Sequence, residues 1–317
     1  MPTSDSILIT GGFGFLGAHF ASILLEQGFR VTLFDNADWS LSTACAMQLE
    51  SKPGLKHVCG SVLSEADLKS LGTDFSYIAH AAGILGIKRV TEIPLQTMDV
   101  NILGTRNVLE LASKQKELKR FLFFSTSEIY GQFASEPLEN STSKIPTQGA
   151  RWCYATSKLA GEYFVRGFAL EQNMPFVIVR PFNIYGPYRQ GSNAMTELVR
   201  SAVRGEPITI SGNGQQTRSW CHINDFVKGL LACLIEKEAN REAFNIGNDK
   251  TYISILDLAN LICEIVSSTS QISVSGSTEA DVEKRLANIN KARQLLKYDP
   301  QIDLDTGIRD VVAWLRG

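Results

Sequence analysis

Tyr154 and Lys158 stand four residues apart in the stretch Tyr154-Ala155-Thr156-Ser157-Lys158. On a helix that spacing puts both side chains on one face. A free phenol titrates near 10. An ammonium beside it favours the phenolate and would make Tyr154 a base usable near neutral pH. Many surface helices carry such a pair, so the pair alone is weak. Its support is Ser125-Thr126-Ser127, which closes the apolar run 121–124. Hydroxyls at the carboxyl end of a parallel strand stand where open α/β sheets bind ligands. A hydroxyl there can share a substrate proton with Tyr154.

A second constellation is Thr10-Gly11-Gly12-Phe13-Gly14-Phe15-Leu16-Gly17, which follows an apolar run and opens a helical pattern. Gly11, Gly14 and Gly17 let the backbone turn tightly and approach a pyrophosphate, and the helix N-terminus behind them offers free N–H groups and the positive end of a dipole. A glycine-rich turn without a ligand is the plain alternative. Asp35 ends the next apolar run, where a carboxylate can accept both hydroxyls of an adenosine ribose. The run Asp35-Asn36-Ala37-Asp38 offers no cation for a 2′-phosphate. Together these features point to NAD rather than NADP.

These groups need a scaffold. Continuous apolar runs at 6–10, 30–34, 55–59, 75–80, 120–125 and 175–180 alternate with longer helical patterns, two of them at 91–114 and 152–173. Such runs read as strands buried on both faces, and the alternation predicts an α/β fold with a Rossmann-type doubly wound parallel sheet. After Pro181 the pattern changes to short helices (194–204, 224–236, 255–266) mixed with short strands (208–211, 244–246). We expect an NAD-binding Rossmann domain over 1–182 and a smaller C-terminal α/β domain for the substrate over 183–317. The two interleave, the chain returning to the first around 219–247.

Composition removes other classes. With 31 Lys plus Arg against 33 Asp plus Glu there is no basic excess for nucleic acid. Apolar runs fall far short of the ~20 residues that span a bilayer, and the N-terminal residues lack the basic and apolar regions of a signal peptide. The six cysteines are scattered without a C-x-x-C pair, which suits a reducing cytoplasm and argues against a metal site. None of His19, His57, His80 and His222 is assigned a role.

The motifs taken together resemble the extended short-chain dehydrogenase/reductases, in the group of nucleotide-sugar epimerases, dehydratases and decarboxylases. The match covers most of the chain: the glycine turn, His80-Ala81-Ala82-Gly83, Asn101 with Gly104-Thr105, Ser125 to Gly131, Tyr154 and Lys158, Arg180 to Pro187, Gly212-Asn213-Gly214 followed by Arg218, and Asn245-Ile246-Gly247. The resemblance implies bound NAD among Gly11, Gly14, Phe15, Leu16, Gly17, Asp35, Ser61, Val62, Ala81, Ala82, Gly83, Asn101, Ser125, Tyr154, Lys158 and Pro181. Ser61 departs from the family, which usually has an Asp near the adenine. It also implies that Tyr154 takes the sugar O4 proton as C4 is oxidised, that Thr126 hydrogen-bonds O4, and that Lys158 orients the nicotinamide ribose and lowers the Tyr154 pKa.

From a 4-keto sugar three outcomes branch: reduction on the other face, loss of water, or loss of CO₂ from a C5 carboxylate. The family's dehydratases carry Asp-Glu after the threonine, where this chain has Ser127-Glu128. Simple 4-epimerases usually lack the glutamate. Ser-Glu resembles the UDP-glucuronate decarboxylases, in which an arginine matching Arg285 assists the loss of CO₂. Elsewhere in the group that arginine grips the diphosphate. Uronate 4-epimerases carry a basic residue where Lys88 and Arg89 stand. Asn183, Arg218 and Arg285 are the diphosphate candidates, uridine being the base the resemblance favours. Two long helices, with Val108, Leu109, Leu111, Ala112, Leu159, Phe164 and Phe168 on them, would pair with a second copy in a homodimer. The alternative from another class is a non-catalytic NAD-binding module, which retention of both Tyr154 and Lys158 disfavours.

Overall fold

A computed structural model describes residues 5–132, 134–191, 193–276 and 282–317. Residues 1–4, which carried part of the leader-sequence expectation, and residues 277–281 of the expected C-terminal domain lie outside the described residues.

Seven strands form one parallel sheet: β1 (Ser6–Thr10), β2 (Arg30–Asp35), β3 (Leu55–Cys59), β4 (Tyr77–His80), β5 (Arg120–Phe124), β6 (Phe176–Pro181) and β7 (Glu242–Ile246), in the order β7-β6-β5-β4-β1-β2-β3. The continuous apolar runs have a direct cause. Phe121 and Phe123 of β5 pack with Leu8, Ile78 and Ile178 on one face, while Leu122 and Phe124 join Ile7, Ile9, Val177 and Val179 on the other. The first face is covered by the helices Gly104–Ser113 and Cys153–Gln172, the second by Phe15–Glu26 and Ile223–Ile235. Strand order reverses between β1 and β4, and the crevice above their carboxyl ends is where such folds bind ligands.

The helix expected over 91–114 is corrected. A short helix, Ile87–Glu92, ends at Ile93. A second begins at Pro94, runs through a wider turn at Asp99–Leu103 and continues as Gly104–Ser113. Proline has no N–H to give a preceding turn but is preorganised for a first one, so the break falls there. Beyond β6 a third core gathers Tyr185 of the short strand Ile184–Tyr185 with Met195, Val199, Leu258, Ile262, Ile308 and Val311 from the helices Ala194–Arg204, Ile255–Val266 and Leu304–Arg316. The last of these helices was not expected from the sequence. It is capped by Asp303, whose carboxylate accepts from the Thr306 N–H at 2.8 Å.

A second sheet joins four short strands in the order Tyr252–Ser254, Thr217–Ser219, Lys284–Leu286, Ala134–Ser135. Its register sets Arg218 directly opposite Arg285. No helix among the described residues is long and apolar enough to cross a membrane.

Candidate active site

A cleft of about 730 Å³ opens above the carboxyl ends of β4, β5 and β6 and under the four-stranded sheet. Its walls carry Leu16, Ala81, Gly83, Lys88, Ser125, Thr126, Ser127, Glu128, Tyr154, Lys158, Pro181, Asn183, Arg218 and Arg285. One space thus collects fourteen of the residues singled out from the sequence. Lys88 stands exposed at its mouth on the short helix Ile87–Glu92, and Arg89 is not among the lining residues.

Tyr154 and Lys158 lie one turn apart on Cys153–Gln172. The Lys158 ammonium is buried and donates to the Phe124 carbonyl at 2.9 Å, pinning the helix to the end of β5. Burial pulls its pKa down to about 8. Thr126 follows that strand end and caps a short 3₁₀ turn, its hydroxyl accepting from the Glu128 N–H at 3.2 Å. Burial pushes the Tyr154 phenol well above its ordinary value, and the Glu128 carboxylate adds to this. The Thr126 hydroxyl nearby and the guanidiniums of Arg189 and Arg285 pull it back. The Lys158 ammonium holds a backbone carbonyl with one of its three N–H groups, and the two arginines also act on the phenol.

Glu128 and Arg285 form an ion pair across the cleft, Nη1 to Oε1 at 3.2 Å, with side chains only 18% and 8% exposed. The Nε and Nη2 of Arg285 are buried without a hydrogen-bond partner. A buried guanidinium with idle donors is costly unless an anion meets it. Arg218, beside it, is buried and donates to the Thr217 carbonyl at 2.9 Å.

Other expected residues work on the shape of the cleft. Asn101 is fully buried. Its Oδ1 accepts from the Ile84 N–H at 2.8 Å, and its Nδ2 donates to the Ile84 carbonyl and to Ser157 Oγ, each at 3.0 Å. Both amide protons are thus committed to holding the segment after β4 against the Tyr154 helix. Ser125 donates its hydroxyl to Glu162 at 2.6 Å, and Asn183 donates its Nδ2 to the Ser219 carbonyl at 2.8 Å. Both line the cleft, Ser125 with its hydroxyl proton already used inside the chain and Asn183 with one of its two amide protons used. Ser61 accepts from the Leu63 N–H, and Val62 packs against Gly104.

Around the glycine turn the residues fit a dinucleotide. The 12-residue helix Phe15–Glu26 begins at Gly14 with no side-chain cap and no acid in its first turn, so its N–H groups are available to an anion. Asp35 closes β2 beside it, Oδ2 accepting from the Phe13 N–H and Oδ1 from the Ala37 N–H, each at 3.1 Å. Burial raises the Asp35 pKa while those N–H groups oppose the rise. His80 is buried between Thr10 and Thr105, its Nδ1 2.7 Å and its Nε2 3.0 Å from their hydroxyls, and acts in packing. Among the described residues no group of three or more His, Cys, Asp or Glu could hold a metal.

The sequence reading missed Arg189. Its guanidinium stacks 4.9 Å over the Phe15 ring at the start of the glycine-turn helix, lines the cleft, and keeps a buried Nε without a partner. It lies two residues past Gly186-Pro187, on a loop where spacing carries no signal.

The residues 7–247 match the family model described as the NAD dependent epimerase/dehydratase family. A UDP-N-acetyl-alpha-D-glucosaminuronate decarboxylase of Bacillus cytotoxicus is 31% identical, the match covering 98% of this chain and 97% of the relative. UDP-glucuronic acid decarboxylase 1 of Xenopus tropicalis is 29% identical over 98% of this chain and 72% of its own length. Among solved structures, UDP-glucuronic acid 4-epimerase from Bacillus cereus, in complex with UDP-glucuronic acid and NAD, superposes with a TM-score of 0.89 at 29% identity, covering 98% of this chain and 99% of the other.

Proposed function

This chain belongs to the NAD-dependent epimerase/dehydratase family and is an enzyme of the extended short-chain dehydrogenase/reductase type, and from that premise we propose that it decarboxylates a UDP-hexuronic acid through a transient 4-keto sugar. The observation that carries this is the Glu128–Arg285 pair in the cleft wall, with two guanidinium nitrogens left idle. A cation with unused donors beside the phenol suits a substrate bearing a carboxylate in addition to its diphosphate.

NAD would lie along the glycine turn, with Asp35 toward the adenosine ribose and Lys158 toward the nicotinamide ribose. When bound it supplies a hydride acceptor and donor. Tyr154 takes the proton from the sugar O4 as C4 becomes a ketone, and Thr126 holds that oxygen by a hydrogen bond. Arg189 and Arg285 favour the phenolate electrostatically, and the positive charge of an oxidised nicotinamide would act in the same sense. The 4-ketone makes the C5 carboxylate a β-keto acid. The C5–C6 bond breaks, CO₂ leaves, and the electron pair passes to the enolate at O4, which Tyr154 and Thr126 face. A proton from water returned to C5 regenerates the ketone, the Glu128 carboxylate, paired with Arg285, being placed to relay it. Arg218 and Asn183 are the diphosphate residues of this proposal. The Asn183 Nδ2 gives one N–H to the Ser219 carbonyl and keeps a second that can donate to a phosphate oxygen.

Incubation of the purified protein with UDP-glucuronate, and separately with its 2-acetamido analogue, tests the reading. The expected result is CO₂ and a UDP-pentose or UDP-4-keto-pentose. Lys88 at the cleft mouth and the epimerase superposition favour a second reading, UDP-hexuronate 4-epimerisation. UDP-galacturonate formed without CO₂ would establish it at the expense of the first.

The homodimer is part of the same proposal. The helices Pro94–Met98 and Cys153–Gln172 expose Leu95 (82%), Tyr163 (71%) and Leu170 (87%) beside a groove lined by Phe164 and Phe168. Apolar exposure of this kind marks an association surface. Sedimentation equilibrium is expected to give twice the chain mass, and a monomer at micromolar concentration would remove this part. A cytoplasmic setting is proposed with it, supported by six unpaired cysteines.

A further inference from the structure

Behind the cleft lies a buried polar network that the reaction steps above do not use. Tyr154, Lys158 and Glu162 follow one another at four-residue intervals on a single helix face. The Glu162 carboxylate receives three hydrogen bonds: Ser125 Oγ at 2.6 Å and Arg180 Nε at 2.8 Å on Oε1, and Arg180 Nη2 at 2.6 Å on Oε2. The same Arg180 donates through Nη1 to the Tyr130 hydroxyl and the Glu139 carbonyl, each at 2.7 Å. The Tyr130 hydroxyl donates to Asn245 Oδ1 at 2.7 Å, and Asn245 Nδ2 donates to the Pro137 and Asn288 carbonyls at 2.8 and 3.1 Å. Ser125, Glu162, Arg180 and Asn245 are all at most 5% exposed.

Each attachment sits next to a residue of the site. Ser125 precedes Thr126, and Tyr130 closes the turn that carries Glu128. Arg180 leads into Pro181 and Asn183, and Asn288 follows Arg285 by three residues. The end of β5 is therefore fastened to the Tyr154 helix at two successive residues, Phe124 to Lys158 and Ser125 to Glu162.

We propose that Glu162, held by Arg180 and acting through Ser125, is a positioning residue that sets the Thr126 hydroxyl against the Tyr154 phenol. Buried ion pairs add little net stability compared with apolar packing of the same shape. A pair retained at the junction of four site-bearing segments is better explained by geometry. A displacement of about 1 Å at a reacting group can cost about 10²-fold in rate.

The inference rests on the proposed oxidation at C4, and Ser125→Ala tests it with little risk to folding because the Glu162–Arg180 pair stays intact. Glu162→Gln, which strands a buried Arg180 charge, is the harsher companion and is read only if it folds. For Ser125→Ala, kcat on the UDP-sugar is expected to fall about tenfold or more with KM unchanged within twofold. The ascending limb of the pH–rate profile is expected to move to higher pH, because a Thr126 hydroxyl drawn away from the phenol leaves it harder to ionise. Ser125→Thr, which keeps the hydroxyl, is expected to restore both. A crystal structure of Ser125→Ala is expected to show Thr126 drawn away from Tyr154. Wild-type kcat and pH profile in Ser125→Ala, or a change confined to KM, would overturn the proposal. If the unmodified protein acts on no UDP-sugar, the proposed function fails, and the crystal structure alone then decides whether Ser125 and Glu162 hold Thr126 in place.

Discussion

Tyr154→Phe is expected to lower kcat by about 10²–10⁴-fold, the range that a positioned acid–base group contributes. The substitution removes one oxygen from a side chain on the cleft wall and leaves the ring in its packing. It deletes the only phenol in the lining of the described cleft. Lys158 keeps its bond to the Phe124 carbonyl, so the contact pinning the helix to β5 is untouched. KM for the UDP-sugar and the amount of NAD carried by the purified protein should both stay within a fewfold of wild type. Steady-state kinetics with a cofactor assay on the denatured protein measures all three. Turnover within tenfold of wild type would take the proton-transfer role away from Tyr154.

Gly11→Ala is the second large effect, acting on the scaffold rather than on the chemistry. Gly11 has φ +70°, and a Cβ built there lies 2.6 Å from Ala82 N, 2.7 Å from Ala81 C and 2.8 Å from Ala82 Cα. The left-handed backbone alone costs a non-glycine residue about 1–2 kcal/mol. The contact adds to it, because the neighbours are backbone and cannot rotate away. Relief requires the ends of β1 and β4 to separate at the point where strand order reverses. A loss of roughly 2–4 kcal/mol of stability is expected, together with weaker binding of NAD. Gly14 is the control. Its φ is −76°, and a Cβ there meets only Gly11 O, at 3.4 Å. Thermal unfolding should separate the two variants clearly. Equal stability of Gly11→Ala and Gly14→Ala would refute the close-approach argument.

The contrast between those two glycines shows what spacing alone conveys. Gly11, Gly14 and Gly17 read as one motif, but only the fold reveals that Gly11 faces a neighbouring strand. The central sheet was legible because strands buried on both faces leave uninterrupted apolar runs, as Phe121 to Phe124 does. The Tyr154–Lys158 pair was legible because helical periodicity fixes which residues share a face. Glu162 obeys the same periodicity and could have been read with them, but a carboxylate at that spacing is usually a solvated surface residue.

Burial was the quantity hardest to foresee. Adjacency of an amine and a phenol suggested a lowered phenol pKa. In the folded chain the amine also holds the Phe124 carbonyl, and desolvation moves the phenol the other way. The meeting of Arg218 with Arg285 depends on two three-residue strands, Thr217–Ser219 and Lys284–Leu286, far apart in the chain and too short to show a period. Arg189 reaches the cleft from a loop in which Tyr188 adopts φ +63°, a conformation that residue type does not announce.

Oxidation of the sugar at C4, followed by return of the same hydride, is the claim on which the rest depends. UDP-glucuronate deuterated at C4 tests it directly when turned over in ordinary water. The account predicts that the label stays at C4 of the UDP-pentose product, or is found on the cofactor if a 4-keto-pentose is released. Loss of the deuterium to solvent would contradict it.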